Sequence, residues 1–221
     1  MKRFLYLPIT AFFLIVAIVS LCCPITARAN TVALALDFAG AEADALLPGI
    51  TYGWAFTLSG AVLVTDLGLW DEDSDGLQYE HTVTIWDNTT MAVMAQTTVS
   101  NIGTTLVDGF RYISLASSVL LLPGDYTIGG YNPPPDFAAE LLRRNAATIT
   151  TASGVTYNGS KTVQGNLFPP GDILNKPNSY FGPNFQFTPV RSVPDAGSAL
   201  TLLALSIVAI FRLNLRQRKA S

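Results

Sequence analysis

The sequence predicts an all-β fold, a single β-sandwich or jelly roll, and three observations predict it. Short runs between residues 50 and 187 alternate apolar and polar side chains with the period of two of a half-buried strand. Gly-, Pro- and Asn-containing turn sequences punctuate these runs. Helical patterning is confined to residues 136–145. Many short strands separated by turn residues are the pattern of a sandwich or jelly roll. Two apolar terminal segments, each expected to be helical, flank that domain.

Taken in order, residues 30–47 are Ala-rich and read as a lead-in strand or a short helix. From Ile50, the residues Trp54, Phe56 and Leu58 alternate with Ala55, Thr57 and Ser59. Ser59-Gly60 reads as a hairpin turn into a strand over 61–70. Residues 81–86 form a strand with Val83 and Ile85 on one face, and Asp87-Asn88-Thr89-Thr90 turns it into a return strand over 91–99. Residues 109–115 give another strand, and 118–122, Pro123-Gly124 and 126–131 read as a further hairpin. Pro133-Pro134-Pro135 blocks helix upstream of Asp136, which can cap a helix through Ala138, Ala139, Leu141 and Leu142. Residues 148–158 suit one more hairpin, 166–178 a long surface loop, and 179–187 the final strand.

The ends divide the chain into 1–29, 30–192 and 193–221. Met1-Lys2-Arg3 is basic, residues 4–21 are apolar, and Ala27-Arg28-Ala29 places small residues before a cut at Asn30. That is the plan of a secretory signal peptide, read by signal peptidase. Cys22 and Cys23, the only cysteines, fall inside it. The exported part therefore has no disulfide, thiol nucleophile or thiolate metal site, and its core must hold it together. Residues 30–192 carry fifteen acids against six bases, a net −9. Such a domain lacks the basic face that nucleic-acid binding requires.

The third segment has three parts: Val193-Pro194-Asp195-Ala196-Gly197-Ser198, an apolar run of 12 residues over 200–211, and a basic end with Arg212, Arg216, Arg218 and Lys219. A bilayer span takes about 20 residues, so this run relies on snorkelling by its flanking arginines. The basic end belongs on the cytoplasmic side. The segment resembles the PEP-CTERM class of bacterial sorting signals, and within it the VPDSG-CTERM variant, on Val193, Pro194, Asp195, Gly197 and Ser198. Ala196 stands where that variant has Ser. The resemblance implies an exosortase, a membrane cysteine transpeptidase that cuts near the motif. It also implies transient anchoring in the inner membrane, then delivery to the cell surface or an exopolysaccharide matrix. The other reading is an ordinary C-terminal membrane anchor.

A second resemblance covers residues 50–188. Leu67-Gly68-Leu69-Trp70, Asp73-Ser74-Asp75-Gly76-Leu77, His81-x-Val83-x-Ile85-Trp86, Asp108-Gly109-Phe110-Arg111-Tyr112 and Tyr180-Phe181-Gly182-Pro183-Asn184-Phe185 follow in that order. Together they are similar to a bacterial family of secreted β-domains of unknown function that often carry such tails. This implies a β-sandwich and supplies no activity.

The sharpest chemical signal is Asp71-Glu72-Asp73-Ser74-Asp75-Gly76. Carboxylates at alternate positions of a tight loop can converge on Ca²⁺, and Gly76 permits the turn. An EF-hand needs Glu at position twelve, where Thr82 stands, and needs flanking helices, so the candidate is a calcium site of another geometry. Its ligands would be Asp71, Asp73 and Asp75, with Glu80 or Asp66. The alternative is an acidic hairpin tip kept soluble by its charge. His81 is the only histidine, no Gly-x-Ser-x-Gly elbow is present, and one acidic turn does not set two carboxylates across a sugar. No catalytic residue is assigned. Trp54, Trp70, Trp86, Tyr79, Tyr112, Tyr126 and Tyr131 are either core or a sugar-stacking platform, with Tyr79 the best exposed candidate for glycan contact. Arg111, between Phe110 and Tyr112, is expected to pair with an acid or lie over a ring.

The expected function is that of a secreted, sorted, non-enzymatic structural or adhesive component of a surface or exopolysaccharide matrix. The alternatives are a carbohydrate-binding module, calcium-stabilised or not, and a glycan-active hydrolase. Exposed tryptophans on one sheet face would favour the first alternative, and buried ones count against it.

Overall fold

The computed structural model describes residues 31–44, 47–134, 142–171, 175–176 and 178–190. The signal-peptide and sorting segments lie outside them. Among the described residues there is no helix. The strands are β1 (Ala33–Leu34), β2 (Leu36–Ala39), β3 (Glu42–Asp44), β4 (Ile50–Leu58), β5 (Val62–Trp70), β6 (His81–Asp87) and β7 (Val93–Val99). After them come β8 (Thr105–Val107), β9 (Phe110–Leu121), β10 (Gly124–Asn132), β11 (Leu142–Arg144), β12 (Thr148–Thr151), β13 (Val155–Gln164) and β14 (Pro183–Pro189). Two five-stranded sheets dominate, ordered β1-β14-β5-β9-β8 and β13-β4-β10-β6-β7, with every strand pair antiparallel. Two small two-stranded sheets, β11-β3 and β12-β2, complete the all-β, sandwich-like domain.

The alternation read from the sequence supplies the core. Trp54, Phe56 and Leu58 of β4 point inward, as do Val83 and Ile85 of β6, Tyr126 and Ile128 of β10, and Val62, Val64, Leu67 and Leu69 of β5. Phe185 and Phe187 of β14 enter the same cluster. Trp54 stacks on Phe185 with ring centroids 6.1 Å apart, and its Nε1 donates to the Pro183 carbonyl at 2.8 Å. The buried indole thus keeps its one polar group satisfied. Truncating Phe185 to Ala would cost about 3–5 kcal/mol through the cavity left behind.

Several expectations are corrected. Ser59-Gly60 and Pro123-Gly124 are not hairpin turns: each carries the chain from one large sheet to the other, β4 to β5 and β9 to β10. Leu58 and Val62, and likewise Leu121 and Tyr126, all enter one core, so a turn between them must arch across it. The strand expected over 109–115 and the one over 118–122 are a single β9, in which Thr65 of β5 faces the interruption between Ser114 and Val119. Residues 148–158 turn tightly, but β12 pairs with β2 and β13 with β4. Of the expected helix, Leu142–Arg144 is instead strand β11, paired with β3; residues 135–141 lie outside the described set. The 166–178 segment is more than a surface loop. Phe168 meets Trp86 edge-on at 6.2 Å across the outer face of the β4-β10-β6 sheet, and Thr162 N–H donates to Gly171 at 2.6 Å.

The β6–β7 turn is a true hairpin. So is β8–β9, through Asp108 (φ 49°) and Gly109 (φ 78°). Positive φ at both central residues is the type I′ geometry, which an Asp-Gly pair favours.

Candidate functional site

The acidic stretch is the connection by which the chain leaves β5 in one sheet and enters β6 in the other. Its first residue turns inward. Asp71 is fully buried, and its Oδ2 accepts from Arg111 Nε at 2.6 Å. Arg111 lies on β9 opposite Leu69, so the sheet register brings the guanidinium beside the end of β5. Asp71 Oδ1 accepts from the Gly76 N–H at 3.3 Å, and the Ser74 carbonyl accepts from Arg111 at 3.4 Å. Ser74 (φ 64°) and Gly76 (φ 118°) take left-handed backbone to close this turn. Asn101 lies where a Cβ on Gly76 would stand, with its Nδ2 2.5 Å away. Leu77 then enters the core and fixes the far side of the loop. The carboxylate of Asp71 is therefore a strut that neutralises Arg111 and ties three backbone segments together.

Glu72 engages a different partner. Its Oε2 accepts from Trp70 Nε1 at 3.1 Å, and its Oε1 pairs with Arg143 at 2.9 Å. The Arg143 guanidinium lies 5.2 Å from the Trp70 ring centroid. Trp70 in turn packs on Phe38 at 5.0 Å and on Phe110 at 5.1 Å. Sequence reasoning missed this group, because nothing local links Arg143 to residues 70–72. The ion-pairing role foreseen for Arg111 is met by Asp71, and the cation over a ring is Arg143.

Asp73 and Asp75 remain exposed. Each of Asp71, Asp73 and Asp75 brings a carboxylate oxygen within 4.8 Å of the others. Hydrogen bonding and charge repulsion from Asp73, together with Asp71, push the Asp75 carboxyl above the ordinary carboxylate range, and Arg111 opposes the shift. Glu80 is exposed and is not part of the trio. Asp66 is engaged by the Ser114 hydroxyl at 2.6 Å. Calcium takes six to eight oxygens. Here one oxygen of Asp71 is committed to Arg111 and the other to a backbone N–H, so the residues fit only a shallow site completed by Asp73, Asp75 and solvent.

His81 is buried, with Nδ1 3.2 Å from the Tyr131 carbonyl. Trp54 and Trp86 are buried, and Trp70 is half-buried in its aromatic group. The tryptophans therefore form no exposed stacking face. Tyr112 is buried across Gly68, and Tyr126 is buried with its hydroxyl donating to Leu122 at 2.8 Å. Tyr79 and Tyr131 are half-buried. The expected processing residues Ala27, Ala29 and Asn30, and the sorting motif at Val193, Pro194, Asp195, Gly197 and Ser198, lie outside the described residues.

Fold and site together define an all-β, sandwich-like domain whose acidic crossover loop is pinned by a buried ion pair. Comparison with known proteins adds no relative: no family model matches the chain, and no curated protein matches it significantly.

Proposed function

We propose that this chain is an exported bacterial surface protein whose described domain is a non-enzymatic structural or adhesive module, delivered by its C-terminal segment. The observation that carries this reading is the ordered motif, apolar run and basic cluster at 193–221, paired with a signal-peptide pattern at 1–29. Signal peptidase and an exosortase-type transpeptidase are its processing partners. The inner membrane is its transient anchor, and an exopolysaccharide matrix or the outer surface its destination. The domain's own chemistry supports a structural role: its most suggestive carboxylate, Asp71, is a buried strut, and its single histidine faces a backbone carbonyl. The strand orders β1-β14-β5-β9 and β4-β10-β6-β7 support a jelly roll of two interlocked Greek keys, with β8 and β13 added at edges.

Mass spectrometry of the C-terminus of protein recovered from the matrix tests the sorting reading. A terminus near residues 193–198 is expected, and an intact tail refutes processing. A second reading, a cation-assisted carbohydrate-binding module, draws on the Asp73–Asp75 pair and the half-buried Tyr79, four residues on in sequence. The buried tryptophans count against a stacking platform. A glycan array probed with the full chain decides it, because saturable, calcium-dependent retention of one glycan class would displace the structural role.

A further inference from the structure

The two ends of the sandwich differ in charge density, and the chain leaves by the sparsely charged one, whose charges are Asp87, Asp125 and the Arg191 that follows Val190 in sequence. Val62, Leu121 and Pro189 lie level at one end, and Gly124, Leu58 and Val155 share its other edge. The Asp87 turn joins them through Asn88 N–H donating to Asp125 O at 3.0 Å, and Ala33 beside Phe187 brings Val32 to the same end. Its described connections, 59–61, 88–92, 122–123, 152–154 and 188–190, contain no Lys, Arg, Asp or Glu. The nearest acids are internally engaged. Asp87 accepts from the N–H groups of Thr89 and Thr90, and Asp125 accepts from the Thr57 hydroxyl. Large apolar side chains stand out there: Met91 at 61% exposure, Leu122 at 60%, Val32 at 55%, Leu120 at 50% and Val190 at 46%. Met91 does so from φ 59°, a backbone conformation that Gly or Asn usually takes.

Exposed apolar residues also occur at the opposite end, Ile102 and Leu167 among them, but there they share the surface with Glu72, Asp73, Asp75, Glu80, Arg143 and Arg144. A densely charged end resists approach to a low-dielectric phase more than an apolar end with few charges.

We infer that the Met91–Leu122–Val190 end is a membrane-facing surface that rests on the bilayer interface while the chain is anchored. This rests on reading 200–211 as membrane-inserted. From Val190 only residues 191–199 intervene, nine in number, and they span at most about 30 Å. Such a tether holds the end at high effective concentration against the surface, so shallow contacts that would fail in free solution are populated. Among its described residues this end carries no Lys or Arg, and a single Arg191 follows Val190 in sequence, so the contact rests on the apolar side chains.

The test is hydroxyl-radical footprinting of the full chain on phosphatidylcholine vesicles and in detergent micelles, with flotation run in parallel. Loss of labelling at Met91, Leu122 and Val190 on vesicles alone, with Ile102 and Leu167 unchanged, is the expected result. Met91→Asp with Leu122→Asp should still float yet regain labelling at Val190. A chain that floats with this end fully labelled overturns the inference and leaves the anchor intact, whereas a chain that does not float overturns both. Protection that rises with protein density on the vesicle would assign the surface to a second copy and overturn the bilayer contact.

Discussion

Replacing Arg111 with Met tests the strut directly. The substitution keeps most of the aliphatic stem and removes the guanidinium, leaving the fully buried Asp71 carboxylate opposite a thioether. Breaking one side of a buried pair costs about 3–5 kcal/mol, because the remaining charge has lost its partner without regaining water. The Arg111 side chain keeps 16% exposure, so water can reach the vacated space, and the lower end of that range, about 3 kcal/mol, is expected. For a domain of this size each kcal/mol moves Tm by about 2–4 °C, which gives a fall of roughly 6–12 °C. Asp71→Asn added to Arg111→Met should recover most of it, since the uncompensated charge is gone and an amide oxygen can still accept from Gly76 N–H. Urea and thermal unfolding followed by tryptophan fluorescence, with and without EDTA, measure this. A single variant within 1 kcal/mol of wild type, or a double variant no more stable than the single, would falsify the strut. A loss seen only in EDTA would show that a bound cation, not Arg111, neutralises Asp71.

The remaining predictions follow from the same loop and from two tyrosine and aspartate sites. Millimolar calcium should raise the Tm of the full chain and Asp73→Ala should abolish the gain; no shift on adding calcium removes the ion from the account. Asp75 has its folded pKa raised, so it opposes folding once ionised; the penalty builds as pH rises from the ordinary carboxylate pKa to the folded value and is complete above it. Asp75→Asn should therefore raise Tm at neutral pH and remove the loss of stability that sets in as pH rises above the ordinary carboxylate pKa, and an unchanged profile counts against the Asp73–Asp75 repulsion. Asp87 has its folded pKa lowered by the Thr90 and Thr89 hydrogen bonds, so its support is present above the usual carboxylate pKa and fades as pH falls through the folded value. Asp87→Asn should lose that acid-side dependence, read from Tm between about pH 5 and pH 2. Tyr112 is buried with no hydrogen-bond partner for its hydroxyl among the described residues, and burial pushes its pKa up. Tyr112→Phe should be neutral or stabilising by about 1 kcal/mol, while Tyr112→Ala should cost about 3–5 kcal/mol by uncovering Gly68 and opening a cavity.

The strands were legible where one face meets the core. Trp54, Phe56 and Leu58 announce β4, and Val83 and Ile85 announce β6, because alternation records burial directly. The partners of those strands were not legible. Ser59-Gly60 and Asp87-Asn88-Thr89-Thr90 both say that the chain reverses, yet only the second brings the flanking strands side by side. Turn residues report local dihedral angles, and a hairpin and an arch between sheets share many of them. The type I′ Asp108-Gly109 pair was a readable hairpin signal that the strand pattern alone passed over. At the loop, the spacing of Asp71, Asp73 and Asp75 correctly announced that three carboxylates converge. That Asp71 faces inward was set by Arg111, forty residues away, and only the β5–β9 register shows it. Leu77, the one large apolar residue among so many polar ones, was the local hint that the loop is anchored.

The position of this loop bears on which functional reading can coexist with the membrane-facing end. Strand β5 runs between them: it starts at Val62, level with Pro189, and ends at Trp70 beside Asp71. Nine extended residues cover about 30 Å, so Asp73, Asp75 and Tyr79 stand roughly that far from the surface on which Met91 and Leu122 rest. A domain seated on the bilayer by its sparsely charged end presents its acidic loop outward. Any cation or glycan contact made there is then compatible with anchoring, whereas a ligand face at the Val190 end would compete with the membrane for the same residues. If calcium stabilises the loop, the effect should therefore be equal in vesicle-bound and detergent-held chain. A calcium response that vanishes on vesicles would place the two surfaces together and break the polarity on which the membrane-facing inference depends.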